Sequence, residues 1–229
     1  MFNKDKIKAI LLDVDNTLLC FQKNATKAVR DAFINNGLEF KDEYMSTFFE
    51  INGDLWNQVE KGQITSEHLH YVRFKKIFEK LQIEGDFLSL ERDFRKFFST
   101  YYETVDGAYE LVEYLSKKYN LYVASNATYD IQINRLNKSG LIKYFDNIFI
   151  SEKIGKNKPA RQFFEVCFEN IKERPEDCVM IGDSLNADIK GAKQFGINTI
   201  WLNRFLAPLP KENICDVVVD NLQDIMKIL

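Results

Sequence analysis

Histidine is almost missing from these 229 residues, with only His68 and His70 present. A spacing of two on a helix sends the pair to roughly opposite faces, so neither a histidine-based zinc site nor a Ser-His triad is expected, and both read as surface or interface imidazoles. Carboxylates must then carry any acid and base work. Cysteine is scarce too. Cys20, Cys167, Cys178 and Cys215 form no C-x-x-C pair, and a chain of this size needs no covalent staples, so reduced and mostly buried thiols are expected. No stretch approaches the ~20 apolar residues of a membrane span. Lys4, Lys6 and Lys8 precede an apolar run that Asp13 interrupts, too short for a signal segment, and the expectation is a cytoplasmic protein without a membrane partner. Neither charge dominates: 31 basic against 34 acidic side chains gives 31 − 34 = −3, which offers no basic surface to a nucleic-acid polymer. Repeats and low-complexity segments are lacking. What remains is a chain of 45% hydrophobic residues, ordinary for a globular protein of one or two domains.

The most informative stretch is Asp13-Val14-Asp15-Asn16-Thr17, at the end of the apolar run from Ile7 to Leu12. A continuous apolar run fits a strand covered on both faces, with Asp13 the first side chain to emerge at the sheet's carboxyl edge, where open α/β sheets bind ligands. If the chain stays extended, Asp13 and Asp15 point to the same side about 7 Å apart, and a divalent cation can neutralise both. Burying charge there is costly unless a metal or a reaction needs it. The plainer reading is a strand running into an acidic turn. A calcium loop fits poorly, since its sixth and twelfth positions hold Leu18 and Asn24 rather than Gly and Glu.

Three further pieces follow in order. Leu121-Tyr122-Val123-Ala124-Ser125-Asn126 is a second apolar strand ending in a hydroxyl able to donate to a phosphate oxygen. In Gly155-Lys156-Asn157-Lys158-Pro159, Pro159 suits the first position of a helix over about 160–170 and holds Lys158 at a helix N-terminus, a place favourable to anions. Val179 to Gly182 is a strand whose glycine turn leads into Asp183, with Asp188 five positions on. Each piece alone is an ordinary turn or helix cap; their order makes the case.

Through these residues the chain resembles the haloacid dehalogenase superfamily of aspartyl phosphohydrolases, with Asp13-x-Asp15-x-Thr17, Ser125, Lys158 and Gly182-Asp183-Ser184-x-x-x-Asp188 standing at its four motifs over essentially the whole chain. Members that cleave carbon-halogen bonds lack the second carboxylate of the first motif, so Asp15 argues for phosphoryl transfer. Asn52-Gly53-Asp54-Leu55-Trp56, Gly62 followed by Thr65, Arg73-Phe74, and Ser151-Glu152 look most like the pyrimidine 5'-nucleotidase branch. Ala127 stands where many relatives have Gly, and Ser125 where Thr is common. Both departures are conservative.

Strand patterns near 8–13, 121–125, 147–151, 178–182, 199–203 and 217–219 alternate with helical patterns at 107–118, 129–139, 160–171 and 186–195. This predicts an α/β fold with a doubly wound, mostly parallel Rossmann-like sheet. The gap between the first two strands is too long for a structureless loop. Its helical pattern, broken at Gly37, Gly62 and Gly85, reads as a four-helix cap over 20–102 inserted into a core of 1–19 and 103–229. Phe48, Phe49, Trp56, Tyr71, Phe74, Phe97 and Phe98 are expected to be mostly the cap's own core, with Trp56 and Arg73 the candidates to contact a substrate's leaving group.

The resemblance and the residue chemistry together imply a phosphomonoesterase. Asp13 attacks phosphorus to give an aspartyl-phosphate, and Asp15 protonates the leaving alkoxide and later activates water. Mg²⁺ would sit on Asp13, the main-chain carbonyl of Asp15 and Asp183. Lys158, Ser125 and the main-chain N–H groups of Asp15 and Asn126 would offset phosphoryl charge, Asp188 would orient Lys158 or a metal-bound water, and Thr17 would support the first loop. The expected partner is a small phosphomonoester, with a pyrimidine nucleoside 5'-monophosphate first, a phosphoglycolate or sugar phosphate second, and a phosphomutase reaction third. The chain is expected as a monomer or homodimer. A phospho-acceptor switch fits less well because of the helical insertion and Asp15, and an inactive binding protein less well because every expected catalytic side chain is present.

Overall fold

The computed structural model describes residues 3–210 and 214–229, and the chain forms two units, Met1–Phe21 with Tyr102–Leu229 and Gln22–Tyr101. The second unit is built from α1 (Phe21–Asn35), α2 (Tyr44–Glu60), α3 (Ser66–Leu81) and α4 (Phe87–Phe98). Thr65 caps α3 by accepting from the His68 N–H, and Asp86 caps α4 by accepting from Leu88 and Ser89, so short polar side chains satisfy the first turns. The breaks expected at Gly37, Gly62 and Gly85 all fall between helices.

A phenylalanine cluster holds these helices together. Phe48, Phe74 and Phe94 lie with ring centroids 5.4 to 5.9 Å apart, and Phe94 stacks on Phe98 at 5.4 Å. A second cluster of Leu55, Val59 and Leu69 is flanked by the half-buried Trp56. Tyr71 departs from the core expectation: it is exposed, edge-on to Phe87.

Arg73, expected from the sequence to contact substrate, is inside this bundle and 3% exposed. Its Nε and Nη2 donate to the Glu91 carboxylate at 3.1 and 2.6 Å, and its Nη1 donates to Asn52 Oδ1 at 2.9 Å. The guanidinium carbon also lies 4.5 Å from the Phe94 ring centroid. With three of its N–H groups engaged within the unit, Arg73 helps to hold the helices together. His70 is likewise partly enclosed rather than on the surface, with Nδ1 3.3 Å from Glu91 Oε1, and burial pushes its pKa down. Burial alone would raise Glu91, but the Arg73 charge and the hydrogen bonds from His70 and Arg73 hold it below the usual range. Breaking such a pair strands a buried charge, so Arg73→Ala should cost about 3 to 5 kcal/mol of stability. Urea unfolding followed through Trp56 in a Trp201→Phe background measures it; a loss below about 1 kcal/mol, the range of an exposed pair, would reject the structural assignment.

In the other unit, β1 (Ala9–Leu12), β2 (Asn120–Ser125), β3 (Asn147–Ile150), β4 (Cys178–Gly182), β5 (Asn198–Leu202) and β6 (Val217–Val219) form a parallel sheet in the order β3-β2-β1-β4-β5-β6. Its helices are α5 (Ala108–Ser116), α6 (Tyr129–Lys138), the short α7 (Ser151–Ile154), α8 (Arg161–Phe168), α9 (Gly191–Phe195) and α10 (Leu222–Ile228). Alternation divides β1 between two cores. Ile10 and Leu12 join Val123, Ile181 and Leu111 on one face, while Ala9 and Leu11 join Ala124, Met180 and Phe163 on the other. Burial on both faces is what the unbroken apolar run encodes. The chain leaves and re-enters this unit through paired segments, with Cys20 N–H donating to Glu103 O at 2.8 Å and Val105 N–H to Leu18 O at 2.9 Å.

Two expected helices differ in detail. Pro159 does not open α8, because a turn closed by Ala160 N–H to Asn157 O comes first and Ala160, with ψ at 132°, is not helical. The helix expected over 186–195 is a π-helical segment, Leu185–Lys190, running into α9.

Candidate active site

The sheet's carboxyl edge gathers the polar groups. Asp13 directly follows β1, and its N–H donates to Ile181 O at 3.0 Å, so the main chain is still held by β4 where the carboxylate emerges. Past Val14 the chain turns. The N–H groups of Leu18 and Leu19 both donate to Val14 O at 2.8 Å, and Asn16 takes a left-handed φ of 61°. The extended geometry that would put Asp13 and Asp15 side by side over one cation therefore stops at Val14. Asp15 turns toward α6, accepting from Arg135 Nη1 at 2.8 Å and Gln132 Nε2 at 3.1 Å.

Lys158 is 1% exposed, and its ammonium donates to Asp13 Oδ1 at 2.8 Å, Asp188 Oδ1 at 2.6 Å and the Ala124 carbonyl. Three acceptors match its three donors. The loop that delivers it is pinned by Asn126, whose Nδ2 donates to Lys158 O at 2.9 Å while its Oδ1 accepts from Lys158 N–H at 2.8 Å. Asn126 is thus the brace that sets Lys158 against the end of β2.

Asp188 reaches the same place because Gly182 has no side chain: a Cβ there would lie 2.2 Å from Asp188 Oδ2. That oxygen also accepts from Ser184 N–H at 3.0 Å. Gly191 has a similar role, since a Cβ would come within 2.9 Å of Pro159 and Phe164. The π-helical segment carries Asp188 between these glycines, a distortion often found at functional sites. Asp183 is held through its carbonyl, which accepts from Trp201 Nε1 at 2.9 Å.

Carboxylate oxygens of Asp13, Asp183 and Asp188 lie within 4.8 Å of one another. Three carboxylates against the one Lys158 ammonium leave 1 − 3 = −2 in a buried site. Burial first, opposed by Lys158 and reinforced by Asp188 and Asp15, pushes Asp13 up to about 7. Burial and then the Asp13 and Asp188 charges hold Asp183 well above the usual carboxylate range. Burial alone would lower Lys158, but Asp13 and Asp188 outweigh it and raise its pKa. An all-oxygen, doubly negative cluster is the donor set of a hard divalent cation, and the residues fit one.

Around this cluster lie Ser125, whose Oγ accepts from Gln132 Nε2 at 2.9 Å, and Thr17, whose buried hydroxyl has no partner among the described residues. Trp56 and Arg73 belong to the helical unit; the other expected site residues are in the α/β unit. Sequence reasoning missed Gln132 and Arg135. They lie on α6 in no motif, and the only signal was a polar pair spaced i, i+3 on the helix that follows the Ser125 strand.

The haloacid dehalogenase-like hydrolase family matches residues 7–196. YfnB of Bacillus subtilis, named as a HAD-hydrolase, is 32% identical over 225 residues, covering 98% of this chain and 96% of its own. A crystal structure of YfnB bound to magnesium superposes with a TM-score of 0.92 over 97% of this chain and 98% of that one. The pyrimidine 5'-nucleotidases PynA of Streptococcus pneumoniae and YjjG of Escherichia coli are 34% and 27% identical, over 86% and 96% of this chain and 84% and 96% of theirs.

Proposed function

Because this chain belongs to the haloacid dehalogenase-like hydrolases, we propose that it hydrolyses phosphomonoesters through an aspartyl-phosphate, with pyrimidine nucleoside 5'-monophosphates as its substrate class. The observation that carries the chemistry is the buried Asp13 at the mouth of β1, facing one lysine in a site with two uncompensated negative charges. The substrate class rests on the two nucleotidase relatives and on the likeness seen in Asn52 to Trp56.

One Asp13 oxygen attacks phosphorus as the bond to the leaving oxygen breaks, and Lys158, 2.8 Å away, favours the ionised carboxylate against the burial that raises its pKa. Asp15 gives its proton to the departing alkoxide, then takes one from the water that cleaves the acyl-phosphate and restores Asp13. Ser125 turns its hydroxyl proton, and Asp15 and Asn126 their main-chain N–H groups, toward phosphoryl oxygens. Asp188 holds Lys158 in line at 2.6 Å. Asp13, Asp183 and the Asp15 carbonyl would hold Mg²⁺, which when bound supplies positive charge against the carboxylates and the phosphoryl oxygens.

A panel of phosphomonoesters tests the substrate class. Pyrimidine nucleoside monophosphates should exceed sugar phosphates and phosphoglycolate in kcat/KM, and Trp56→Ala should lower the nucleotide value about 5- to 150-fold if the ring stacks on a base. p-Nitrophenyl phosphate should be nearly unaffected. Parallel losses on every substrate would make Trp56 a packing residue, and a wild type without nucleotide preference would move sugar phosphates to first place.

A further inference from the structure

Arg135 is a fully buried cation that the scheme above does not use. Its side chain is 0% exposed, and burying a guanidinium is costly without an acceptor of matching charge. The acceptor here is the carboxylate to which the acid and base steps were assigned. Nη1 of Arg135 donates to Asp15 Oδ1 at 2.8 Å and to Gln132 Oε1 at 2.9 Å. Gln132 Nε2 in turn donates to Asp15 Oδ2 at 3.1 Å and Ser125 Oγ at 2.9 Å. The chemistry fixes how the amide faces: a guanidinium only donates and a carboxylate only accepts, so the oxygen must meet Arg135 and the nitrogen Asp15.

We propose that Arg135 and Gln132 are positioning residues that clamp both oxygens of Asp15 and couple it to Ser125, so that proton donor and phosphoryl ligand meet one substrate together. The inference rests on the assignment of Asp15 as acid and base. Each carboxylate oxygen keeps a second lone-pair site, so a proton can still be carried toward the leaving group. Both protons of the Gln132 amide are engaged, one on Asp15 and one on Ser125. The Ser125 oxygen is therefore an acceptor toward Gln132, and its own proton is left for a phosphoryl oxygen. Asp15 is 28% exposed and leads into a tight turn; without the clamp its side chain would be free to rotate into water. Residues one helical turn apart on α6 thus set the direction of a carboxylate more than a hundred positions away in sequence.

The test separates a leaving group that needs a proton from one that does not. Arg135→Met and Gln132→Met keep side-chain length but remove the donors; Gln132→Met leaves no charge unpaired and serves if Arg135→Met does not fold. kcat/KM for a nucleoside 5'-monophosphate, with its alkoxide leaving group, should fall about 10- to 100-fold with KM little changed, the lower part of the range for general acid catalysis. kcat/KM for p-nitrophenyl phosphate, whose leaving group departs as a stable anion, should fall less than about threefold in Arg135→Met, because Asp15 donates no proton in that step, whereas Gln132→Met also releases Ser125 and should lower both substrates, the nucleotide by more. Equal losses on the two substrates, or lowered melting temperature with unchanged kinetic constants, would overturn the proposal. Asp15→Asn run alongside keeps the two assignments apart. A wild type without phosphomonoesterase activity, or an Asp15→Asn enzyme as fast as wild type on the nucleotide, defeats the Asp15 reading and this one with it. A nucleotide loss in Asp15→Asn without the same pattern in the α6 variants defeats the clamp alone.

Discussion

Asp13→Asn removes the nucleophile, and phosphomonoester hydrolysis should fall by about 10⁴-fold or more, the scale seen when a covalent nucleophile is deleted. The amide cannot attack phosphorus, so the loss should be the same for alkyl and aryl esters. Stability should move the other way. Removing one of the three clustered carboxylates lowers the excess charge beside Lys158 from −2 to −1 above about pH 7, where Asp13 is ionised, so in EDTA near pH 8 the variant should melt no lower than wild type. Activity assays and calorimetry on the same preparation check both halves. Residual turnover near wild type would remove Asp13 as nucleophile, and a much lower melting temperature would mean that the lost activity came from damage.

Chelation should bring a second large loss. EDTA followed by desalting should abolish turnover, Mg²⁺ should restore it, and Ca²⁺ should not, because its looser, higher coordination suits the site poorly. Stability gives an independent reading with a defined sign. Asp13 rises from 3.8 to about 7, so between those values the folded, metal-free protein holds a proton that the unfolded chain has released. Its stability therefore falls as pH rises through that window. Mg²⁺ must compete with the proton at the low end and not at the high end. Its stabilisation, ~2.7 kcal/mol at a hundredfold excess over Kd, should be larger near pH 8 than near pH 5. Melting curves with and without Mg²⁺ at both pH values decide it; an equal shift at both would contradict the cluster as drawn.

Much of this was legible because the relevant sequence signals are local. Strands covered on both faces are unbroken apolar runs, and all six were readable, as was the alternation with helices that makes the sheet parallel. Asp13, Ser125 and Asp183 could be placed because each follows such a run directly. The misses are those where tertiary contacts override local pattern. Nothing in the helical pattern of α6 marks Gln132 and Arg135 as buried beside Leu136, because Asp15 and Ser125, which receive their polar side chains, come from other elements. Arg73 was a candidate ligand contact because it lies in a segment that resembles the nucleotidase branch, and nothing local announces Glu91, eighteen positions on, as its counterion. The direction of Asp15 depended on the turn at Val14, and the π-helical segment on packing around Asp188 that a repeat of 3.6 cannot show.

The position of β1 in the sheet has a consequence for how the chain is made. Its partners are Asn120 to Val123 on one side and Cys178 to Ile181 on the other, so the first strand synthesised emerges long before either neighbour exists. Contacts of such sequence separation slow folding, and an unpaired apolar strand is open to aggregation while it waits. The intervening helical unit is contiguous in sequence and has its own phenylalanine core. If it folds during synthesis, it shortens the loop that must close before β1 meets β2, and the paired segments at Cys20 and Glu103 close that loop at its base. On the ribosome, the insertion would serve as a clasp that keeps the nascent β1 near the strand it is to join.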